Sequence, residues 1–492
     1  VTPVPEHTVL TLVVFWPLAA ALVLPALPRR AAVAAWAAAS AADLAAVLAL
    51  WTAYDGPGLA YQDRVRWIPS VGAGYHVGAD GLSLPLLALT ALLFLCCALY
   101  SLRTRTRPRA FAALFLALET VCLGVFAAQD LLLFFVFFDL SIVGMYFVIA
   151  GWGHGDNARS ALKFFLYTFT GSLALLLGFI ALYLDAGTFD MAEITRRPVA
   201  SGGGLALLAI GIGLAVKTPV VPFHTWLPPA HTDAPAPGSA ILAGVLLKMG
   251  TYGIVRVAMP MLPDAWRRYA WVAVALGLLG VLYGALVALA QRNVKRLIAY
   301  TSVNHMGYIV LAAGAAGLAG DAAARRLAVS GAVTQMVAHG LVTGALFLLA
   351  GVLHDRAGSY DLARYGGVAR AAPRFAGLLA VAAFASLGLP GLSGFIAEFQ
   401  IFTGAIGGGA PVAGALAVLG VLVTAGLFLG VLHRVLLGAP GELTPRVTDV
   451  RRAELAAVAP LLLASAAIGV APRFLLDLVE PASATLIALV AR

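Results

Sequence analysis

Apolar runs long enough to cross a bilayer recur about fourteen times along the chain, and no other feature restricts the fold as tightly. In lipid every backbone N–H and C=O must be satisfied inside the protein, so such runs cross only as helices. They fall near 8–27, 31–53, 82–102, 110–128, 130–150, 162–184, 204–222, 239–259, 270–290, 297–317, 328–351, 375–405, 411–435 and 455–475. An all-α polytopic membrane protein follows. Composition agrees: 61% of residues are hydrophobic and 11% charged, against roughly half and a quarter in soluble domains. The first run ends in Pro28-Arg29-Arg30 and leads directly into another, so it reads as a first membrane helix rather than a cleaved leader. The loop at 54–81, with Trp67, Tyr75 and His76, reads as an ordered cap at the membrane surface.

The formal net charge of +9 does not point to nucleic acid, because the basic residues sit in short clusters between apolar runs. Charge in that arrangement sets topology. Arg29, Arg30, Arg103, Arg105, Arg107, Arg109, Arg159, Lys163, Arg292, Lys295 and Arg296 fall on one side. Arg356, Arg364, Arg370, Arg374, Arg434, Arg446, Arg451 and Arg452 join them. That side holds roughly nineteen of the 32 basic residues, against about eleven opposite. Both termini are then expected outside the cytoplasm.

Between Gly211 and Gly250 the chain departs from simple apolar runs. Lys217 and Lys248 sit in consecutive hydrophobic spans, and Pro219 and Pro222 interrupt the first of them. An ammonium at the bilayer centre costs about 2.5–3.5 kcal/mol on insertion scales. Each proline removes a backbone donor, and broken backbone at membrane depth survives only where protein or a wet cavity satisfies it. A second interruption occurs at Gly388-Leu389-Pro390-Gly391. Paired interrupted helices, Leu214–Pro222 and Ala385–Gly391, each downstream of a basic loop, point to inverted repeats with a site at mid-membrane.

Along the spans the ionisable groups at depth are Glu119, Asp139, Lys217, Lys248, His305, His339 and Glu398. Such groups in a membrane pair with one another or line a water-filled route. Lys217, Lys248 and Glu398 read as a polar path. Asp139, set among aromatics, is expected to pair with a lysine on another helix, and Glu119 reads equally as a helix–helix hydrogen bond. His305 and His339 suit proton relay as well as a structural role. His224 and His231 lack the spacing of a zinc motif, and Cys96, Cys97 and Cys122 read as small hydrophobes. The chain carries no dinucleotide fingerprint, P-loop or cysteine array, so no flavin, nicotinamide, iron–sulfur cluster, metal or ATP is expected on it.

The residues GLAVKTPVVPFHTWLPPAHTDAPAPGSAILAGVLLKMGTYGIVR, RNVKRLIAYTSVNHMGY, QMVAHGL and GLPGLSGFIAEF resemble the antiporter-like subunits of respiratory complex I, from about Asp80 to beyond Phe402. Glu398, where other members usually carry lysine, is similar to the subunit M type. The resemblance implies two inverted five-helix repeats at 109–260 and 261–440, after N-terminal helices at 1–108 and before a C-terminal helix and tail at 441–492. It also implies an ion pair between Asp139 and Lys217, continued by Lys248, His305, His339 and Glu398. Asp139 departs from the family's usual glutamate at that place. Location in a bacterial cell membrane is implied too, beside other membrane-arm subunits. NADH, FMN, Fe–S clusters and quinone would be held by partner subunits. The alternatives are a cation/proton antiporter subunit and the membrane arm of an energy-converting hydrogenase.

Overall fold

Proline and capping residues set the helix starts. The computed structural model describes residues 8–491 except 30, 105, 198 and 200–202, so Arg30 and Arg105 lie outside the described residues. Pro108, Pro263, Pro373 and Pro411 each open a helix, where a missing N–H costs nothing. Asp130, Asn293 and Asp321 cap three others, their side chains accepting first-turn N–H groups.

In chain order the principal helices are α1 (Val9–Val23), α2 (Ala32–Ala53), α3 (Leu84–Tyr100), α4 (Pro108–Ala127), α5 (Leu131–Trp152) and α6 (Asn157–Ala186). A short α7 (Met191–Arg196) precedes α8 (Gly203–Lys217) and α9 (Leu227–Asp233). Then come α10 (Ala236–Met261), α11 (Pro263–Leu289), α12 (Val294–Gly317) and α13 (Ala322–Ala357). The chain continues with α14 (Pro373–Ser386), α15 (Ser393–Gly407), α16 (Pro411–Leu436), α17 (Arg452–Val470) and α18 (Arg473–Val490).

Among the described residues 11 helices are long and apolar enough to cross a membrane. The other three expected spans have physical reasons to differ. Helix α12 is diluted by Lys295, Arg296, Asn304 and His305, and the pairs α8–α9 and α14–α15 are each broken midway. The protein is a multi-pass membrane protein with α10 and α13 at its centre. Their most apolar windows are 94% and 100% buried, against 33% for α1 and 39% for α6. Those central helices carry Lys248 and His339.

Two departures from the expected layout stand out. Strands β1 (Ala60–Ile68) and β2 (Ala73–Ala79) form an antiparallel hairpin, so the fold is helical with one small β element and the loop at 54–81 is ordered. His76 Nδ1 lies 2.9 Å from Asp190, Arg64 lies 2.9 Å from the same carboxylate, and Asp130 accepts the Gly74 N–H at 3.0 Å. The hairpin is thereby tied to the start of α5 and of α7. The stretch expected as a C-terminal tail is instead helix α18, whose Val490 carbonyl accepts from Arg267 at 2.6 Å.

Candidate functional site

Helix α8 stops at Lys217 because the prolines beyond it cannot continue the hydrogen-bond ladder. Across the break Trp226 donates its indole N–H to the Val216 carbonyl at 2.9 Å, satisfying a group that the interruption frees. Lys217 thus lies at a helix C-terminus, where the backbone dipole favours a cation. It is 1% exposed. Its ammonium donates to Ser141 Oγ at 2.9 Å and sits 4.7 Å from the centre of the Phe138 ring, both on α5.

The ion pair expected between Asp139 and Lys217 is not formed. Among the described residues no contact within 4.0 Å joins them, and Asp139 Oδ1 has no hydrogen-bond partner. Helix geometry gives the reason. Residues two apart face opposite sides, so when Ser141 points at Lys217, Asp139 cannot. Asp139 instead lies beside Ser172 of α6, with Lys217 acting on it at longer range.

Lys248 is held differently. Helix α10 widens into π-helical turns at Leu242–Leu246 and Ile254–Ala258, on either side of it. Such turns shift the backbone ladder and are common at functional sites. Lys248 Nζ donates to the Ala243 carbonyl at 2.5 Å and lies 2.5 Å from Nδ1 of His339. Gly250 allows α10 to approach α8 this closely, since a Cβ there would run into Thr218 beside Lys217.

From His339 the row continues along α12. The His305 ring lies 5.4 Å from that of His339, its Nδ1 is 2.9 Å from the Gln335 amide, and its Nε2 is 3.3 Å from Ser386 Oγ. Ser386 ends α14, immediately before the second break. Gly388 in that break has φ +74°, and a side chain on it would collide with the Glu398 carboxylate. Glycine is required there twice over, for the left-handed backbone and for the close approach. Tyr308, one turn beyond His305 and 6.1 Å from it ring to ring, feels the charge of Glu398. Lys248, His339, His305 and Glu398 therefore form one neighbourhood, with Lys217 beside it across the α8–α10 contact.

Glu119 is placed elsewhere. It is fully buried on α4, where its Oε2 accepts from Ser40 of α2 at 2.6 Å while Oε1 has no partner. Asp43, one turn beyond Ser40, is buried with both oxygens unpartnered. The structure ties Glu119 to α2 and not to a lysine. Asp43 escaped sequence reading because a single aspartate in an alanine-rich run carries no pattern.

Three further groups were missed. Lys295, counted as loop charge, is fully buried; it donates to the Ala234 carbonyl at 2.5 Å and lies 5.1 Å from the Tyr360 ring. Tyr360 stacks on His354 at 4.3 Å, and His354 stacks on His154 at 4.9 Å. This stack lines a cavity of about 480 Å³ with Tyr100, Arg103 and Asp355, at the end of the bundle rich in basic residues. Burial first, then the positive charges of Lys295 and His354, bring His154 down to about 4, so it is neutral at pH 7. Deeper in, His231 is fully buried with neither ring nitrogen bonded among the described residues, and Lys295 and Lys248 both act on it. Its nearest ring neighbour is Phe347 at 4.5 Å. Among the described residues no three His, Cys, Asp or Glu side chains converge as a metal site.

A helical membrane protein with two broken spans and a central row of buried lysines, histidines and a glutamate belongs to the class that moves protons or cations across a bilayer. Residues 128–424 match the family described as NADH:quinone oxidoreductase/Mrp antiporter, transmembrane, and the chain belongs to it. NADH-quinone oxidoreductase subunit M of Rickettsia conorii is 38% identical over 434 residues, 86% of each chain. NAD(P)H-quinone oxidoreductase chain 4 of Gloeobacter violaceus is 36% identical over 487 residues, 96% of this chain and 91% of that one. The fold superimposes on a chain of respiratory complex I from Thermus thermophilus with bound NADH, with a TM-score of 0.89 and 30% identity over 98% of this chain and 99% of that one.

Proposed function

We propose that this chain is a proton-translocating subunit of the membrane arm of a bacterial NADH:quinone oxidoreductase. NADH, FMN, iron–sulfur clusters and quinone are handled by partner subunits, and other antiporter-like subunits are its neighbours in the bilayer. The hydrogen bond between Lys248 and His339 carries this reading, because it joins a lysine to an imidazole at the centre of the most enclosed helices.

Protons are taken up from the cavity at the basic end, which positive-inside topology makes cytoplasmic, with both chain termini on the opposite side. The stack of His154, His354 and Tyr360 leads to Lys295, and His231 lies within electrostatic reach of both Lys295 and Lys248. Beyond Lys248 the path runs through His339 and His305 to Glu398. Lys217, Ser141 and Asp139 form the control element: redox events in the partners change the field at Asp139, and Lys217 answers by changing its hold on Ser141. Helices α4 to α10 and α11 to α16 are two repeats, 109–260 and 261–440, each with its broken helix fourth of five. Five is odd, so the second repeat enters the bilayer from the opposite side, consistent with inverted units.

The test is His339→Leu in the assembled complex, followed in inside-out membrane vesicles. Assembly and NADH oxidation by an artificial acceptor should persist, while proton uptake coupled to quinone reduction is lost. Uptake at the wild-type rate would remove His339 from the route.

A further inference from the structure

A second cavity at the basic end, of about 870 Å³, shares Arg103 with the intake cavity but none of the histidines or lysines of this route. It lies between the ends of α1, α3 and α4, and Arg29, Arg103, Arg107 and Arg109 line it together with Val33 and Leu102. Among the described residues no aspartate or glutamate lines it, and none of the four arginines forms an ion pair. Charge that only sets topology can sit anywhere in its loop. Here it arrives from two segments, one between α1 and α2 and one between α3 and α4, and converges on one concavity.

The four guanidinium groups are arranged unequally. Arg107 donates to the Gly151 carbonyl at 2.5 Å and lies 4.5 Å over the Trp152 ring, and Arg109 donates to the Leu27 carbonyl. Both are held in place by the fold, and Arg109 keeps a buried Nε–H without a partner. Arg29 and Arg103 are exposed and form no ion pair at the mouth. On the last turn of α1, Leu22 is 77% and Val23 57% exposed, an apolar surface. Planar guanidinium forks match the oxygens of a phosphate. A group with a phosphate at headgroup level and an acyl chain below it would meet both surfaces at once.

We propose that this cavity binds the phosphate of an anionic phospholipid headgroup, with an acyl chain lying along the end of α1. The shared chemistry is the phosphate dianion or diester, and the apolar flank selects lipid over free phosphate. Basic pockets between membrane helices on the cytoplasmic side recognise such headgroups in general.

The experiment uses the intact purified complex, delipidated and then titrated with dioleoylphosphatidylglycerol, with dioleoylphosphatidylcholine or with inorganic phosphate. Phosphatidylglycerol should bind, and R29Q/R103Q should weaken that binding about thirtyfold, from the contribution of two basic residues near an anionic surface. R29K/R103K should weaken it only a few-fold, since lysine keeps the charge and loses the fork. Equal binding of the two lipids, or undiminished phosphatidylglycerol binding by R29Q/R103Q, overturns the proposal. So does complete displacement of lipid by millimolar phosphate, which would assign the cavity to a soluble anion. A photoreactive residue placed at Leu102 gives a second reading with all four arginines present, even if R29Q/R103Q fails to assemble. Its adducts should be with phosphatidylglycerol, and adducts with an acidic segment of a neighbouring subunit instead would overturn the lipid assignment.

Discussion

Lys248 of α10 and His339 of α13 share a hydrogen bond of 2.5 Å across the centre of the bundle. When Lys248 is protonated it has donors only, so a neutral His339 then accepts through Nδ1 and carries its proton on Nε2. Among the described residues that nitrogen has no partner. On the proposed route Lys248 would give a proton to Nδ1, and His339 would release one from Nε2 on its far side. That leaves His339 with its proton on Nδ1, so on the proposed route its return to the first tautomer needs the ring to turn over as well as Lys248 to be reloaded from the side of His231 and Lys295.

The step requires a side chain that can lose its proton. Lys248→Arg keeps the charge, but a guanidinium does not deprotonate in a protein. Coupled quinone reduction and proton uptake by the arginine variant should fall on the order of a hundredfold, the contribution typical of a positioned proton-transfer group. Vesicle uptake assays measure this directly. Wild-type uptake with arginine would mean that a fixed charge is enough.

At Lys217 the direct contact is with a hydroxyl. Ser141→Ala removes that acceptor, and a hydrogen bond to a charged group contributes about 1.5–3 kcal/mol. The variant complex should inactivate at a lower temperature, while Ser141→Thr restores most of the loss. Asp139→Asn should shift the inactivation temperature less, because Asp139 makes no ion pair in this state, and should act mainly on proton uptake. An Asp139→Asn complex as heat-labile as Ser141→Ala would show that the carboxylate contacts Lys217 in the resting protein after all.

Much of this arrangement could be read from the residues alone, for reasons that also explain the gaps. Lysines in apolar runs and prolines beside them are rare enough to announce themselves, so Lys217, Lys248 and both breaks stood out. Ser141 did not, since serine is unremarkable in a membrane helix and its role depends on which face of α5 meets α8. The same register hid the orientation of Asp139. Lys295 looked like loop charge because it stands in RNVKR, and only the packing of α12 under the α9–α10 link buries it. His231 was weighed against zinc spacing, a test that cannot detect a proton carrier. Helix α18 escaped because Asp477, Glu480 and Pro481 break its apolar run, although one face of the helix is buried.

The hairpin anchor should respond to acid in a narrow window. Burial works against ionisation of Asp190, but the hydrogen bond from His76, the Glu193 N–H and the charges of His76 and Arg64 outweigh it and hold the carboxyl below its ordinary value. A depressed carboxyl contributes stability that is complete above the unfolded value of about 4 and lost as pH falls through the folded one. Amide protection of Ala73–Ala79, corrected for intrinsic exchange, should hold from pH 8 to 5 and fall only below about 4. Asp190→Asn should lower it roughly tenfold at pH 7, as expected for loss of a charged hydrogen bond. Protection that declines already between pH 7 and 6 would remove Asp190 as the group that matters.

The proposed intake path is tested at Lys295. Its ammonium is enclosed, held by one carbonyl and one ring face, and stands between a surface cavity and His231. If protons pass this way, Lys295→Met should slow uptake most where protons are scarce, so its deficit grows from pH 6 to pH 8.5. Lys295→Arg should fail alike, since it fills the same place without releasing a proton. His154 is neutral throughout that range, with its value near 4, so its titration does not add a second slope. A merely structural Lys295 predicts the reverse pattern: the arginine variant pumps normally, and the methionine variant loses assembled complex equally at every pH. Uptake measured per assembled complex, across pH, separates the two. A pH-independent deficit in Lys295→Met with full rescue by Lys295→Arg would close this route and leave Lys248 to be loaded from another side.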